Sequence, residues 1–245
     1  MYLVTGANYT HGRSLLQLLG SIRQWEPQTR VVVYDLGLTR KQRRAVLDSD
    51  LNGSVEAFPW NEYPGFFDIN VNRGEYAWKP ALIARELQKS DAPLCWMDAG
   101  NVVLLPLRDI REELAQHGFY SAPSRGTVLQ WTHPLMFKAL GLPPDFCADR
   151  RNLSGACIAF DPKHLRARAL IEEWARLAED KEMIAPPGSS RKNHRQDQAL
   201  LTVLAYRSGI ISEPSRKLDA FAIHRDLREF GLRRFRRMAA LLWPG

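Results

Sequence analysis

Asp98 is the residue that most needs a chemical reason. It interrupts the segment 94–105, LCWMDAGNVVLL, between two apolar runs, and is followed by the small Ala99 and Gly100 and then Asn101. A buried carboxylate without a partner is costly. At the mouth of a sheet it calls for a cation, a ribose hydroxyl or a hydrogen-bond donor, unless it only caps the turn behind it. Other polar groups suit the same chemistry. Lys79 precedes Pro80, which stands in the first turn of a helix through Leu82, Ile83 and Leu87. A helix start welcomes an anion and not a lone cation, so Lys79 is either half of a charged pair or a surface lysine. Asp197 and Gln198 open a helix through Leu200, Leu201, Val203 and Leu204, where a carboxylate is already favoured by the helix dipole. His224-Arg225 follows a short apolar strand, 221–223, and a lone histidine there is a ligand or a structural residue.

The elements that must position these groups are legible by period. Residues 2–5 form an apolar strand running into the turn Gly6-Ala7-Asn8-Tyr9, and Leu15, Leu18, Leu19 and Ile22 then recur at helical spacing. Val31-Val32-Val33-Tyr34 is a buried, parallel-type strand ending at Asp35, and Thr39-Arg40-Lys41-Gln42 is a capping box opening the next helix. The order β-loop-α-β-α implies right-handed crossovers and a parallel sheet, with ligands at the carboxyl ends of its strands. The first loop has neither GxGxxG nor GxxxxGK[ST], which excludes a dinucleotide fingerprint and a P-loop. Asp109 is expected to cap a helix ending at His117, with a strand over 119–122 and no clear periodicity across 123–150. Residues 154–160, SGACIAF, read as a buried strand whose small first residues, Ser154 and Gly155, let a ligand or backbone come close. An amphipathic helix follows Asp161-Pro162. Residues 185–195, APPGSSRKNHR, are a disordered loop or a lid that orders over a phosphate.

The chain of 245 residues fits one large domain with a full core, and its 25% charged residues are those of an ordinary globular protein. A formal net charge of +7 points to an anionic partner: nucleotide, nucleic acid or anionic lipid. Residues 225–245 hold six arginines against Asp226 and Glu229, interleaved with Phe230, Phe235, Leu241, Leu242 and Trp243. Such a segment reads as a basic amphipathic helix, lying on an anionic membrane surface or packed on the core. No RNA-binding module accompanies it, so nucleic acid is not the expected partner. Cys95, Cys147 and Cys157 are unclustered, which suits a reducing compartment and gives no zinc pattern. With strand-like sequence from Tyr2 and no long apolar run, a cytoplasmic protein is expected, peripheral to the membrane if the tail binds it.

Five segments together resemble nucleotide-sugar-dependent glycosyltransferases of the GT-A type, in the retaining family that includes glycogenin and bacterial lipopolysaccharide galactosyltransferases. The opening strand with Ala7-Asn8-Tyr9 and VVVYDLGLTRKQ is similar to the family's uridine-binding start, and WMDAGNVVL to its DxD strand. Lys79 looks like the lysine that contacts the donor's phosphate or sugar. NLSGACIAFD resembles the strand under the donor sugar, RQDQALLTVL the Asp-Gln helix start beside the reacting carbon, and His224 the histidine joining metal and diphosphate.

The resemblance implies an α/β fold with a mixed, mainly parallel Rossmann-like sheet flanked by helices: a catalytic domain over 1–225 and a basic helix over 226–245. It implies transfer of a sugar from a nucleoside-diphosphate donor, UDP by likeness, to a glycan or lipid-linked acceptor with retention. Asp197 and Gln198 take the catalytic places. Ala7, Asn8, Tyr9, Lys79, Asp98, Ala99, Gly100, Asn101, Ser154, Gly155, His224 and Arg225 would bind the donor. The second Asp of DxD is Gly100 here, and Asn101 offers only an uncharged oxygen. A divalent cation, Mn2+ or Mg2+, would therefore rest on Asp98 and His224 with the diphosphate, or be replaced by Lys79, Arg225, Arg191 and Lys192. The missing Asp also suits a nucleotide-sugar or glycan-binding module without chemistry.

Overall fold

The computed structural model describes residues 1–212 and 216–229. In chain order the elements are β1 (Tyr2–Ala7), α1 (Gly12–Trp25), β2 (Val31–Asp35), α2 (Arg40–Leu47), β3 (Gly53–Ala57), α3 (Trp78–Lys89), β4 (Leu94–Met97), β5 (Val102–Val103), α4 (Arg108–His117), β6 (Phe119–Thr127), α5 (Val128–Trp131), α6 (Pro134–Ala139), β7 (Arg151–Phe160), α7 (Leu165–Ala178), α8 (Lys181–Ile184), α9 (Gln196–Arg207) and β8 (Phe221–Ala222). Six strands form one sheet in the order β3-β2-β1-β4-β7-β6, and β5 pairs with β8 in a separate ribbon. The first four strands of the sheet run parallel, whereas β7 is antiparallel to both β4 and β6. The mixed, mainly parallel sheet is the expected fold class.

Alternation along the buried strands builds two cores, because successive side chains point to opposite faces. Val32, Tyr34, Trp96, Ile158 and Phe160 meet Leu82 and Ile83 of α3, Ile171 and Trp174 of α7 and Leu200 and Leu204 of α9. Their neighbours Val31, Val33, Cys95, Met97, Cys157 and Ala159 pack on Leu15, Leu18 and Ile22 of α1 and on Ile110 of α4. The three cysteines are free thiols. The capping box of α2 forms as its sequence requires: Thr39 accepts from the Gln42 N–H at 3.2 Å and donates its own N–H to Gln42 at 2.9 Å.

Several local expectations change. Lys79 lies inside α3, which begins at Trp78, and does not precede it. Asp109 sits in the first turn of α4 but Leu107 is the cap residue. The stretch 123–150 holds the end of β6 and two short helices; the Thr127–Gln130 capping box of α5 is too brief to show a period. Residues 226–229 carry no helix, and the remaining part of the expected basic helix, 230–245, lies outside the described residues.

Glu26, just after α1, ties that helix to α4. It is 6% exposed, accepts from the Leu107 N–H at 2.6 Å and from Arg111, and receives the Thr29 hydroxyl at 2.6 Å. Burial alone would raise its pKa, but Arg111 and Thr29 outweigh it and hold the carboxyl down at about 2. A depressed carboxyl stabilises the fold above its unfolded pKa, and that stability is lost as pH falls from about 4.5 toward 2. Glu26→Gln is expected to lower stability at pH 7 by about 3 kcal/mol, with the deficit shrinking toward pH 2. Urea unfolding at both pH values measures it; a deficit independent of pH would show that packing, not charge, is what was removed.

Candidate active site

The parallel strands deliver their loops to one edge of the sheet. There β1 gives Asn8, β4 gives Asp98, and the antiparallel β7 passes back with Ser154 and Gly155. Asp98 begins the turn after β4; its N–H donates to Ala156 O, and its carbonyl accepts from the Asn101 N–H, each at 2.9 Å. Asn101, fully buried, donates from Nδ2 to Ala156 O at 2.7 Å and leaves its Oδ1 without a partner.

Lys79 is the hub. Its Nζ lies 3.0 Å from Asp98 Oδ1 and 3.3 Å from Asp197 Oδ2, and donates to Gly155 O at 3.0 Å. The lysine is 4% exposed and Asp197 5%. An ammonium so deeply buried needs both carboxylates; burial alone would lower its pKa, but Asp197 and Asp98 together raise it above the usual lysine value. Asp98 Oδ1 also accepts from Trp96 Nε1 at 2.7 Å, while its side chain stays 35% exposed. Asp98 therefore faces the ammonium and the solvent at once.

Asp197 has the opposite balance. Burial pushes its carboxyl up to about 6, against the pull of Lys79 and with a further push from Asp98. Its Oδ2 accepts no aligned hydrogen bond. The α9 start that carries it is fixed by Trp174 Nε1 donating to Asp197 O at 2.9 Å, and by Thr202, which takes Gln198 O at 2.7 Å and the Leu153 N–H at 3.1 Å. Gly155 packs closely under these groups: a Cβ there would stand 3.3 Å from Asp197 Oδ2, a tight contact, and at van der Waals distance, 3.5 Å and 3.6 Å, from Gln198 Cβ and Lys79 Nζ. Lys79, Asp98, Gly155, Asp197 and Gln198 thus converge, as the sequence suggested. Ser154 lies beside them, its carbonyl taken by Ser121 Oγ at 2.9 Å.

Ala7 is buried at the end of β1, and Asn8 Oδ1 accepts the Thr10 N–H in an Asx turn at 3.1 Å. Tyr9 is 43% exposed. The end of the described chain crosses this edge. Arg225 N–H donates to Gly100 O at 2.6 Å, Leu227 N–H to Ser14 Oγ at 2.9 Å, and Arg13 N–H in the first turn of α1 to Glu229 Oε1 at 2.6 Å. His224 turns the chain into that crossing through left-handed backbone (φ 57°). Ala99 and Gly100 form the turn against it, and a Cβ on Gly100 would fall 2.5–2.6 Å from all three atoms of the Asp226 carboxyl group. Asp226 was not foreseen: it comes from a different segment and fills the space a side chain at 100 would take. No three His, Cys, Asp or Glu side chains among the described residues group tightly enough to hold a metal by themselves. The donor chemistry fits an ion only if a ligand supplies the other oxygens, with Asp98 and Asp226 on either side of the turn.

No family model matches the sequence, and no curated protein matches it. Solved structures do. The galactosyltransferase LgtC, in complex with donor and acceptor sugar analogs, is 15% identical with a TM-score of 0.55, over 98% of this chain and 96% of that one. The bifunctional glycosyltransferase WbbM is 14% identical with a TM-score of 0.56, over 89% of this chain, which spans only 38% of that protein. Core-mannan synthase A from Aspergillus fumigatus, in its Mn/GDP form, is 7% identical with a TM-score of 0.56, over 83% of this chain and 68% of that one. At such identities the likeness defines the fold, which is that of the GT-A glycosyltransferases.

A raised carboxyl favours the folded state most when protonated, and that advantage is lost as pH rises through about 6. Asp197→Asn leaves the buried Lys79 ammonium with one carboxylate and is therefore expected to melt below the wild type, by a margin that is larger at pH 5 than at pH 7.5, because only the wild type loses stability as Asp197 ionises. Thermal unfolding across this range checks it; a margin that does not change with pH would show that Asp197 does not titrate there.

Proposed function

We propose that the protein is a retaining glycosyltransferase that moves a sugar from a UDP-type donor to a glycan or glycolipid hydroxyl. The observation that carries this is the Lys79 ammonium buried between Asp98 and Asp197 under a side-chain-free Gly155, at the ligand-binding edge of a GT-A fold. In this reading the nucleoside packs by Ala7, Asn8 and Tyr9, and the diphosphate lies along the Asp98–Asn101 turn with His224 and Arg225 facing it. The sugar sits over Ser154 and Gly155. Its anomeric carbon lies against Asp197 and Gln198. LgtC has been solved as an active-site mutant with glutamine replaced by glutamate, which supports a working role for Gln198.

The acceptor oxygen bonds to the anomeric carbon on the face the diphosphate leaves. The carbon–oxygen bond to phosphate breaks with its electron pair going to the diphosphate, and the hydroxyl proton passes to that phosphate oxygen. Positive charge building on the sugar meets the Asp197 carboxylate, which Lys79 holds through Oδ2 at 3.3 Å. Lys79 holds Asp98 and Asp197 in place through the reaction, so little reorganisation is needed. A Mn2+ or Mg2+ ion, if bound, would be held by Asp98 and His224 and would supply charge neutralisation for the leaving group. The basic tail, 225–245, would bring the site to anionic lipid. Among the described residues no helix is long and apolar enough to cross a membrane.

The reading predicts release of UDP from UDP-sugars, slower by about a hundredfold or more in Lys79→Met and Asp197→Ala. Mn2+ should raise the melting temperature further when UDP is present, and Asp98→Asn should remove that increment. A protein that UDP stabilises but that turns over no nucleotide sugar, with or without Mn2+, would instead be a binding module, the alternative that Gly100 favours.

A further inference from the structure

Beside the carboxylate–lysine cluster stand two guanidinium groups that no carboxylate answers. Arg73 and Arg191 both donate to the Tyr76 hydroxyl, at 3.0 and 2.7 Å. The Arg191 guanidinium lies 5.6 Å from the centre of the same ring and Lys79 Nζ 5.8 Å from it. Among the described residues neither arginine has an Asp or Glu within ion-pair distance, and both are exposed. The phenol oxygen has two lone pairs and no charge. Burial raises the pKa of Tyr76, so it stays protonated and cannot neutralise the pair. Two positive charges therefore share one neutral acceptor.

The backbone is distorted to hold them there. All five residues Asn72–Tyr76 are left-handed, with φ of 47°, 60°, 61°, 47° and 57°. Four of them are not glycine, and for such residues this backbone is strained. With about three residues per turn, Arg73 and Tyr76 fall on one side. Gly74 makes the turn possible, since a Cβ there would stand 2.2 Å from Phe67 O. Trp78 Nε1 donates to Arg73 O at 3.1 Å, and Gln196 Nε2 to Glu75 Oε2 at 3.2 Å. Strain of this kind persists where surrounding structure enforces it, commonly at a ligand clamp. Arg191 arrives from the other side, on the 186–195 segment anchored by the fully buried His194.

On the transferase reading, the pair, including the Arg191 first expected at the diphosphate, lies nearer the Asp197 end than the turn assigned to the diphosphate. The Glu75–Gln196 bond places the 72–76 turn at the Asp197 end of the cluster, whereas Gly100, Arg225 and Asp226 mark the Asp98 end. A guanidinium pair with no counter-ion matches the oxygen geometry and charge of phosphate, for which each arginine would exchange a neutral acceptor for a charge-assisted one.

We propose that Arg73 and Arg191 receive a phosphate group on the acceptor, so that the acceptor is a phosphorylated sugar or a phosphate-linked glycolipid; this rests on the transferase reading above.

The test is calorimetric titration of the full chain, with UDP present, by glucose 6-phosphate, by glucose, and by dihexanoyl phosphatidylglycerol below its micelle concentration. At least one phosphate ligand should bind about tenfold or more tightly than glucose, and added salt should narrow the gap. Preference for the monoester assigns a sugar phosphate; preference for the diester assigns a lipid-linked one. Arg73→Gln with Arg191→Gln should erase the difference, each single variant should lose part of it, and Tyr76→Phe should keep it, because both cations remain. Equal binding of glucose and both phosphates overturns the proposal, as does a Tyr76→Phe loss equal to that of the double variant. UDP-sugar hydrolysis on the same preparations separates the two readings. Turnover without phosphate preference refutes only the anion site, whereas phosphate preference without turnover refutes the acceptor assignment and the transferase with it.

Discussion

An ammonium buried between two carboxylates organises this molecule. Lys79 is nearly without solvent, so its charge is tolerable only while Asp98, Asp197 and Gly155 O remain within about 3 Å. Each partner comes from a different element: the turn after β4, the start of α9 and the strand β7. Loss of register in any of them would leave a charge stranded in a low-dielectric interior. The same three elements meet in the larger core through Trp96, Ile158 and Leu200, so apolar packing and charge pairing fix one arrangement.

The two carboxylates are not equivalent, and the difference comes chiefly from burial. Asp98 is partly open to water and bonded to Trp96 Nε1, whereas Asp197 is enclosed and keeps an oxygen with no hydrogen bond. A cluster that leaves one acid open to water and encloses its neighbour, so that burial works against the neighbour's charge, treats its two carboxylates differently. Gly155 lies against it, where a methyl group would crowd Asp197 Oδ2 and touch Gln198.

Much of this was legible because chemistry and period coincide. Asp98 interrupts an apolar run, Asp197-Gln198 opens a helix, and Gly155 follows Ser154 at the start of a buried strand, so each had a local signature. The burial of Lys79 had none: a lysine beside a proline reads as surface until the strands on either side of it are assembled. The left-handed run 72–76 was equally hidden, since Asn-Arg-Gly-Glu-Tyr contains a single glycine and its conformation is imposed by Phe67, Trp78 and Gln196. Nor could pairing of Leu227 with Ser14 be read, because it joins residues 213 positions apart and follows no repeat. Residues 226–229, where the basic helix expected over 226–245 would start, carry no helix and are bonded to α1 through Ser14 and Arg13.

That crossing makes the two ends of the chain interdependent. Within the turn around Gly100 only Asp98 is acidic, and the second carboxylate, Asp226, which stands over Gly100, is carried by a segment anchored to the opening helix through Ser14 and Arg13. Shortening the protein at its carboxyl end beyond residue 226 would therefore change the charge of the pocket floor without touching any residue of the sheet. Substitution of the buried Ser14, or of Arg13 whose guanidinium donates to Arg228 O, would reach the same place by loosening the anchor. What looks like a peripheral appendage is part of the wall of the cleft.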